Sequence, residues 1–430
     1  MKRRIAAALF IVFVVGCRGV GSSGANPPRP AGPNDMVFPR EAAAFRFARL
    51  VGGDGSVVND AVVVVAGERI VLVASGMRDI PSSLPVTDLR AYTAIPGMID
   101  VHTHMTYYWD HAPGSRPFGR GNTVRTGPEL ATAAMVNAKL TLETGVTTVR
   151  DLGAGRYVDI MMRDRINRGE AVGPRMFVAG SGLSRRQNNP FTAAQIDSFV
   201  KAQVDSGADV IKMYGSTGTG ADTSTTQTFT YAEMKAAVDA AHKYGKRIAI
   251  HSYGAPGGRD AVRAGTNTLE HSIELDDSTL RDMASRGIIY VPTIDHNRYY
   301  ADFRADYGYT DDQARGLDQY RAKNLATARR AIQLGVKLGM GSDAVHMMFG
   351  QNTWELGHFV AAGMTPTQAL GAATITGAEV LGMSDRIGKV ASGYFADIAA
   401  VQGDPRIDVN VTMKGVKWVM KGGNVVVDKR

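Results

Sequence analysis

Two histidines separated by one residue, His102 and His104, close the apolar run Met98-Ile99-Asp100-Val101. Alternate side chains of a strand share a face, so both imidazoles present a nitrogen to one point in space. That is half of a metal site, and it is equally the end of an ordinary surface strand. Lys212, His251, His271 and Asp343 stand in the same setting, each following or ending a short apolar run. Lys212 lies within Val210-Ile211-Lys212-Met213, surroundings that lower the pKa of an amine and favour its neutral form. The other histidines, His111, His242, His296, His346 and His358, fall in segments of loop or helix character, where surface and packing roles are the default. His346, just past Asp343, also qualifies as a substrate contact or a supporting residue. Tyr214 and the loop arginines Arg116, Arg120, Arg185 and Arg186 suit a carbonyl or carboxylate, and solvated roles suit the arginines as well.

The elements that must position these residues alternate along the middle of the chain. Strand-like runs occur at residues 94–99, 147–149, 175–179, 209–213, 247–250, 266–269, 288–293 and 336–340, with helical patterns at 129–142, 232–243, 277–286 and 311–334 among others. Alternation of this kind predicts a parallel sheet covered by helices. An open doubly wound sheet would more often begin with a Gly-rich dinucleotide turn, and none follows the first strand. The pattern therefore predicts an α/β chain whose eight strands close into a (β/α)8 TIM barrel. Such barrels carry their chemistry at the C-terminal ends of the strands. His102 and His104 end the first strand, Lys212 lies in the fourth, His251 follows the fifth, His271 the sixth and Asp343 the eighth, so all six converge on one mouth. The two ends of the chain are β-rich instead: Ala61-Val62-Val63-Val64-Val65 near the start is answered by Val416-Lys417-Trp418-Val419-Met420 near the finish. They predict a small β-sandwich domain built from residues 41–92 and 385–430, flanking a barrel at 93–384.

The ordered set His-x-His, Lys, His, His, Asp, with Ile95-Pro96-Gly97-Met98-Ile99-Asp100-Val101-His102-Thr103-His104 and Gly341-Ser342-Asp343-Ala344, resembles the metal-dependent amidohydrolase superfamily. The resemblance runs over residues 45–428. Thr144-Gly145-Val146-Thr147-Thr148-Val149-Arg150-Asp151 and Ala362-Gly363-Met364-Thr365-Pro366 are similar to the branch of imidazolonepropionase-like proteins, Xaa-Pro and Xaa-Arg dipeptidases and ochratoxin amidohydrolases. It implies two divalent metal ions held by His102, His104, Lys212, His251, His271 and Asp343, with Lys212 carboxylated by CO2 to a bridging carbamate. Neutral imidazoles and a carboxylate suit Zn2+, whereas an ammonium would be repelled. The implied mechanism has metal-activated water attack a carbonyl, with Asp343 as general acid and base. Lys212 argues against a site with one metal, since a bridging ligand needs two.

Loops bear on the substrate. Residues 294–312 carry Tyr299, Tyr300, Phe303, Tyr307 and Tyr309 after the seventh strand, so they stand over the mouth, either as an aromatic substrate wall or as a lid packed on itself. Gly215-Ser216-Thr217-Gly218-Thr219-Gly220 lacks the Gly-Lys-Ser/Thr ending of a phosphate loop and is expected to close over substrate. The expected activity is hydrolysis of the amide bond of a dipeptide or N-acyl amino acid, ochratoxin A included. A cyclic amide or lactone is the alternative substrate, and a ligand-binding surface lipoprotein without catalysis is the alternative of another class.

Residues 1–17 pair Lys2-Arg3-Arg4 with an apolar stretch too short to span a bilayer, as in a secretory signal. Val14-Val15-Gly16-Cys17 resembles the lipobox of bacterial lipoproteins. Cys17 is the sole cysteine, so no intrachain disulfide forms, and lipid attachment accounts for it. A flexible tether at 18–40, rich in Gly, Pro, Ser and Asn, follows. The expectation is an exported lipoprotein, anchored at Cys17 and facing the periplasm from the outer membrane. Across 430 residues the net charge of +8 includes Lys2, Arg3, Arg4 and Arg18, and no basic run marks a nucleic-acid partner. A small molecule is the expected partner, and homo-oligomers remain open.

Overall fold

The structure is a computed structural model that describes residues 38–117, 126–185 and 189–430. The export signal with Cys17, nearly all of the tether, Arg120 and Arg186 lie outside the described residues. Among the described residues fifteen strands follow one another. The first five are β1 (Ala43–Val51), β2 (Val57–Asn59), β3 (Ala61–Ala66), β4 (Arg69–Ser75) and β5 (Val86–Pro96). Next come β6 (Met98–Thr103), β7 (Val146–Asp151), β8 (Arg175–Val178), β9 (Val210–Tyr214), β10 (Arg247–Ser252), β11 (Thr268–His271) and β12 (Ile289–Val291). The chain closes with β13 (Ile398–Val401), β14 (Val416–Lys421) and β15 (Asn424–Asp428).

Both chain ends enter one eight-stranded sheet ordered β15-β14-β13-β5-β1-β3-β4, with β2 on β1. The halves join where β13 runs antiparallel to β5, Ala399 opposite Ile95. This sheet curls. Phe45 on β1 and Trp418 on β14 have ring centroids 5.5 Å apart although β5 and β13 lie between their strands. In a flat sheet three strand spacings would hold them ~14 Å apart. Val63 and Val65 pack with those rings on one face, and Val62 and Val64 pack with Ala42 and Ala44 on the other. Burial on both faces explains why β3 is an unbroken apolar run rather than an alternating one.

The middle of the chain supplies two parallel sheets, β6-β7-β8 and β9-β10-β11-β12. Backbone hydrogen bonds continue between them. Tyr214 N donates to Leu183 O at 2.9 Å, and Tyr290 N to Lys337 O at 2.9 Å. Val101 N donates to Met340 O at 2.8 Å, and Asp343 N to His102 O at 2.7 Å. The run at 336–340 is thus joined to a neighbour on either side, with only Leu338 bridged in strand fashion.

The apolar run at 94–99 divides at Gly97: its first residues end β5 in the curled sheet and its last begin β6 in the parallel one. A Cβ on Gly97 would lie 2.2 Å from Thr147 Oγ1, so glycine lets the two sheets meet there. Helices expected at 232–243, 277–286 and 311–334 form as Tyr231–Lys243, Asp277–Arg286 and Asp311–Gln333. Two of them start in capping boxes, Thr230 with Glu233 and Thr310 with Gln313, which satisfy orphan N–H groups locally. The expected helix at 129–142 is interrupted at Ala134 into Gly127–Ala133 and Met135–Glu143. Residues 294–312, read as a loop, are largely helical, as Ile294–Asp302, Arg304–Tyr307 and the start of Asp311–Gln333. The first of these is capped from far along the chain, where the Glu355 carboxylate accepts from Ile294 N and Asp295 N, each at 2.9 Å. No helix among the described residues is long and apolar enough to cross a membrane.

Candidate metal centre

The site is assembled at the C-terminal ends of the parallel strands. His102 on β6 and His104, one residue past its end, aim their Nε2 atoms at one oxygen, Asp343 Oδ1, from 3.5 and 3.3 Å. One ligand atom from each of the three lies within 4.8 Å of the others. His271 brings its ring to 5.0 Å from that of His102 and 4.5 Å from that of His251. It ends β11 with φ +74°, and this left-handed turn breaks the strand alternation, so that consecutive residues Glu270 and His271 both reach His102. Asp343 has φ +53° and is held by its own N–H on His102 O. Lys212, on β9, completes the group, and all six residues line one cavity of about 580 Å³.

Burial sets the charges. It pushes the His102 imidazole down to about 4 and that of His251 to about 3, with the Lys212 charge adding to each. Burial and then His251 hold His271 well below the ordinary histidine value. Neutral imidazoles are the metal-ligating form. For Asp343 burial acts upward, but His296, His102 and His104 outweigh it and keep the carboxyl well below its usual range. Burial also brings the Lys212 amine down to about 8. Its Nζ is buried without a hydrogen-bond partner. A buried amine in that state lacks a group to hold, and four imidazoles, a carboxylate and an orphaned amine around one cavity fit a metal centre.

The sequence profile of the amidohydrolase family matches residues 93–426. The chain belongs to the amidohydrolase family. An ochratoxinase of Aspergillus niger is 27% identical over 423 residues, covering 87% of this chain and 85% of the relative. An imidazolonepropionase of Symbiobacterium thermophilum is 23% identical over 427 residues, covering 91% and 94%. The solved structure of a Xaa-Pro dipeptidase with methionine bound in its active site superposes with a TM-score of 0.81 at 28% identity, over 89% of this chain and 99% of that one. These relatives lie in the branch that the sequence motifs resembled. This amidohydrolase is accordingly a hydrolase acting on amide or peptide bonds.

Within the amidohydrolase site each ring nitrogen facing away from the cavity has a fixed partner for three of the histidines. His102 Nδ1 meets Glu270 Oε2 at 2.8 Å, His104 Nδ1 meets Gly153 O at 3.0 Å, and His271 Nδ1 meets Thr293 Oγ1 at 2.6 Å. Such partners set the tautomer and hold the ring plane.

One histidine with an assumed packing role belongs to the site. His296 Nδ1 donates to the Asp343 carbonyl at 2.8 Å, and its Nε2 stands 3.2 Å from Asp343 Oδ2. Its position just past the seventh strand run was the available signal, the same one that marks the six residues predicted from the sequence. Tyr214 lines the cavity. His346 does not: it meets the Tyr307 hydroxyl at 3.1 Å, and its backbone N–H binds Tyr107 O. His242 and His358 pair with Asn267 and Asp295, and His111 lies against Trp109. Arg116 binds Tyr307 O and Arg185 binds Glu233, so neither is aimed at the cavity. The aromatic segment divides its roles. Tyr300 and Tyr309 face the cavity together with Tyr107, Tyr214 and Tyr253, whereas Tyr299 and Tyr307 back them, Tyr307 stacked on Tyr309, and Phe303 packs on Tyr299. Ser216 to Gly220 also line it, turned back on themselves through Thr217 N to Thr226 O at 2.8 Å.

Proposed function

We propose that this amidohydrolase holds two divalent cations, Zn2+ by the character of the donors, and cleaves the amide bond of a dipeptide or an N-acyl amino acid. The observation that carries the proposal is the convergence of His102, His104, His251, His271, Asp343 and a Lys212 amine without a hydrogen-bond partner on one cavity. His102, His104, His251, His271 and Asp343 would hold the ions together with Lys212 as its carbamate. An amine brought down to about 8 is available in its neutral, CO2-reactive form near physiological pH. Bound there, the ions supply Lewis acidity at the scissile carbonyl and an acidified water.

The chain itself places groups and moves protons. Asp343, anionic among its imidazoles, accepts the proton of the attacking water and returns it to the nitrogen of the leaving amine as the tetrahedral adduct collapses. Tyr214, Tyr253, Tyr300 and Tyr309 offer aromatic faces to the side chain of the substrate and exclude bulk water. The name of the Aspergillus relative and the methionine bound in the dipeptidase support an apolar or aromatic amino acid on one side of the bond. Ochratoxin A, an N-acyl phenylalanine, is one such substrate.

We read the parallel strands as a closed (β/α)8 barrel over 93–384, supported by the parallel bridges Leu183 to Met213, Tyr290 to Leu338 and Thr103 to Ala344. Residues 41–92 and 385–430 are then its composite β domain. The N-terminal sequence supports export and lipid anchoring at Cys17. Cys17→Ser should move the protein from the membrane fraction to the soluble one.

The test of the activity is reconstitution of metal-free protein with Zn2+ and bicarbonate, followed by a panel of dipeptides and N-acyl amino acids. About two zinc ions per chain and amide cleavage that needs both additions are expected. At a fixed concentration of dissolved CO2 the rate of activation should rise with pH and level off above about 8, because only the neutral amine reacts. A chain that binds no metal, or that binds it and cleaves no amide, refutes the reading.

A further inference from the structure

Beneath the ligand histidines lies an ion pair with no contact to solvent, Arg150 on β7 with Glu270 on β11. Desolvating two such charges costs more than their attraction returns unless their remaining polar atoms are also matched. Here they are. Arg150 Nε donates to Val101 O, Nη1 to Thr268 Oγ1 at 3.0 Å and Nη2 to Glu270 Oε1 at 3.0 Å. Thr268 Oγ1 also donates to Glu270 Oε1. Oε1 is therefore committed to two donors, while Oε2 meets His102 Nδ1 at 2.8 Å. The Arg150 guanidinium paired to Oε1 keeps Glu270 a carboxylate. A carboxylate only accepts, so the proton of the neutral ring must sit on Nδ1, which leaves the Nε2 lone pair facing Asp343. The same guanidinium grips the carbonyl of Val101, the residue before His102, and so holds both the backbone and the ring.

We infer that Arg150 and Glu270 are positioning residues, which fix the tautomer and aim of His102 and through it the metal affinity of the centre. This rests on the reading of His102 as a metal ligand. The competing role is purely structural, a polar tie among β6, β7 and β11.

The experiment measures the zinc dissociation constant by chelator competition, together with thermal unfolding of the metal-free protein, on the full chain. Wild type comes first: failure to bind zinc would refute the metal reading itself, independently of this inference. Glu270→Leu should weaken zinc binding about ten- to a hundredfold and lower the melting temperature, since Arg150 is left as an unmatched buried charge. Arg150→Met with Glu270→Leu removes that charge, so stability should return while zinc binding stays at least about tenfold weaker. Arg150→Met with Glu270→Gln gives Nδ1 an acceptor again and should recover part of the affinity. Wild-type zinc affinity in the Met/Leu double variant overturns the inference. So does failure of that double variant to fold, which would make the pair structural. Absence of any recovery with Gln overturns it as well.

Discussion

Asp343 is enclosed by imidazoles. Oδ1 faces His102 and His104, Oδ2 faces His296, and its carbonyl accepts from His296 Nδ1. Positive charge on these imidazoles, or a cation held between them and the carboxylate, stabilises the anion that a general base needs. Asp343→Asn keeps the shape and removes the proton acceptor. It should lower kcat by about 10²- to 10⁴-fold with an unchanged melting temperature, and undiminished turnover would exclude the assigned role. His296→Phe keeps ring volume and deletes both contacts. Because His296 helps to hold the Asp343 carboxyl down, its loss should raise that pKa and shift the acid limb of the kcat profile to higher pH. A profile superposable on wild type would reduce His296 to a packing residue.

At the scale of elements, the site depends on how strands end. Gly97 separates β5 from β6 by a single residue, so the strand that carries His102 and leads into His104 is continuous in chain with one that belongs to the curled sheet. Its missing Cβ lets Thr147 of the neighbouring strand approach. Gly97→Ala should cost about 1–3 kcal/mol through overpacking, read as a lower denaturant midpoint, with weaker zinc retention because β6 must shift. A variant as stable as wild type would mean that Thr147 yields without strain. The Ile294–Asp302 helix shows the converse, an element whose start is supplied by Glu355, 61 residues from Ile294. That cap holds His296 against Asp343 and Tyr300 against the cavity.

At the scale of the molecule, the parallel strands and the sheet made from the chain ends are tied by charge. Arg175 on β8 pairs with Asp397, whose other oxygen accepts from Gly422 N at 2.8 Å. Arg175 and Arg69 both lie over the Phe395 ring, at 4.2 and 3.7 Å. The Asp397 side chain is only 3% exposed, so it relies on these partners. Arg175→Met should destabilise by about 1–3 kcal/mol, the loss expected for a hydrogen bond to a charged group. The effect should appear in thermal unfolding while kcat below the transition stays at the wild-type value. Unaltered unfolding would show that the sheets are held by apolar packing alone.

What the amino-acid sequence determined by itself was local. The spacing of two between His102 and His104, the apolar runs before Lys212, His251, His271 and Asp343, and caps such as Thr310 with Gln313 follow from strand and helix periodicity within a few residues. Those rules were enough to name six of the residues that line the cavity and to place the helix at Asp277–Arg286. Tertiary structure decided what depends on partners distant in the chain. It recruited His296 to Asp343, turned the aromatic segment into capped helices, set His346 against Tyr307, and curled the terminal strands until Phe45 met Trp418. No local pattern encodes these outcomes, because each is a hydrogen bond or ring contact between residues brought together only when the sheets close on one another.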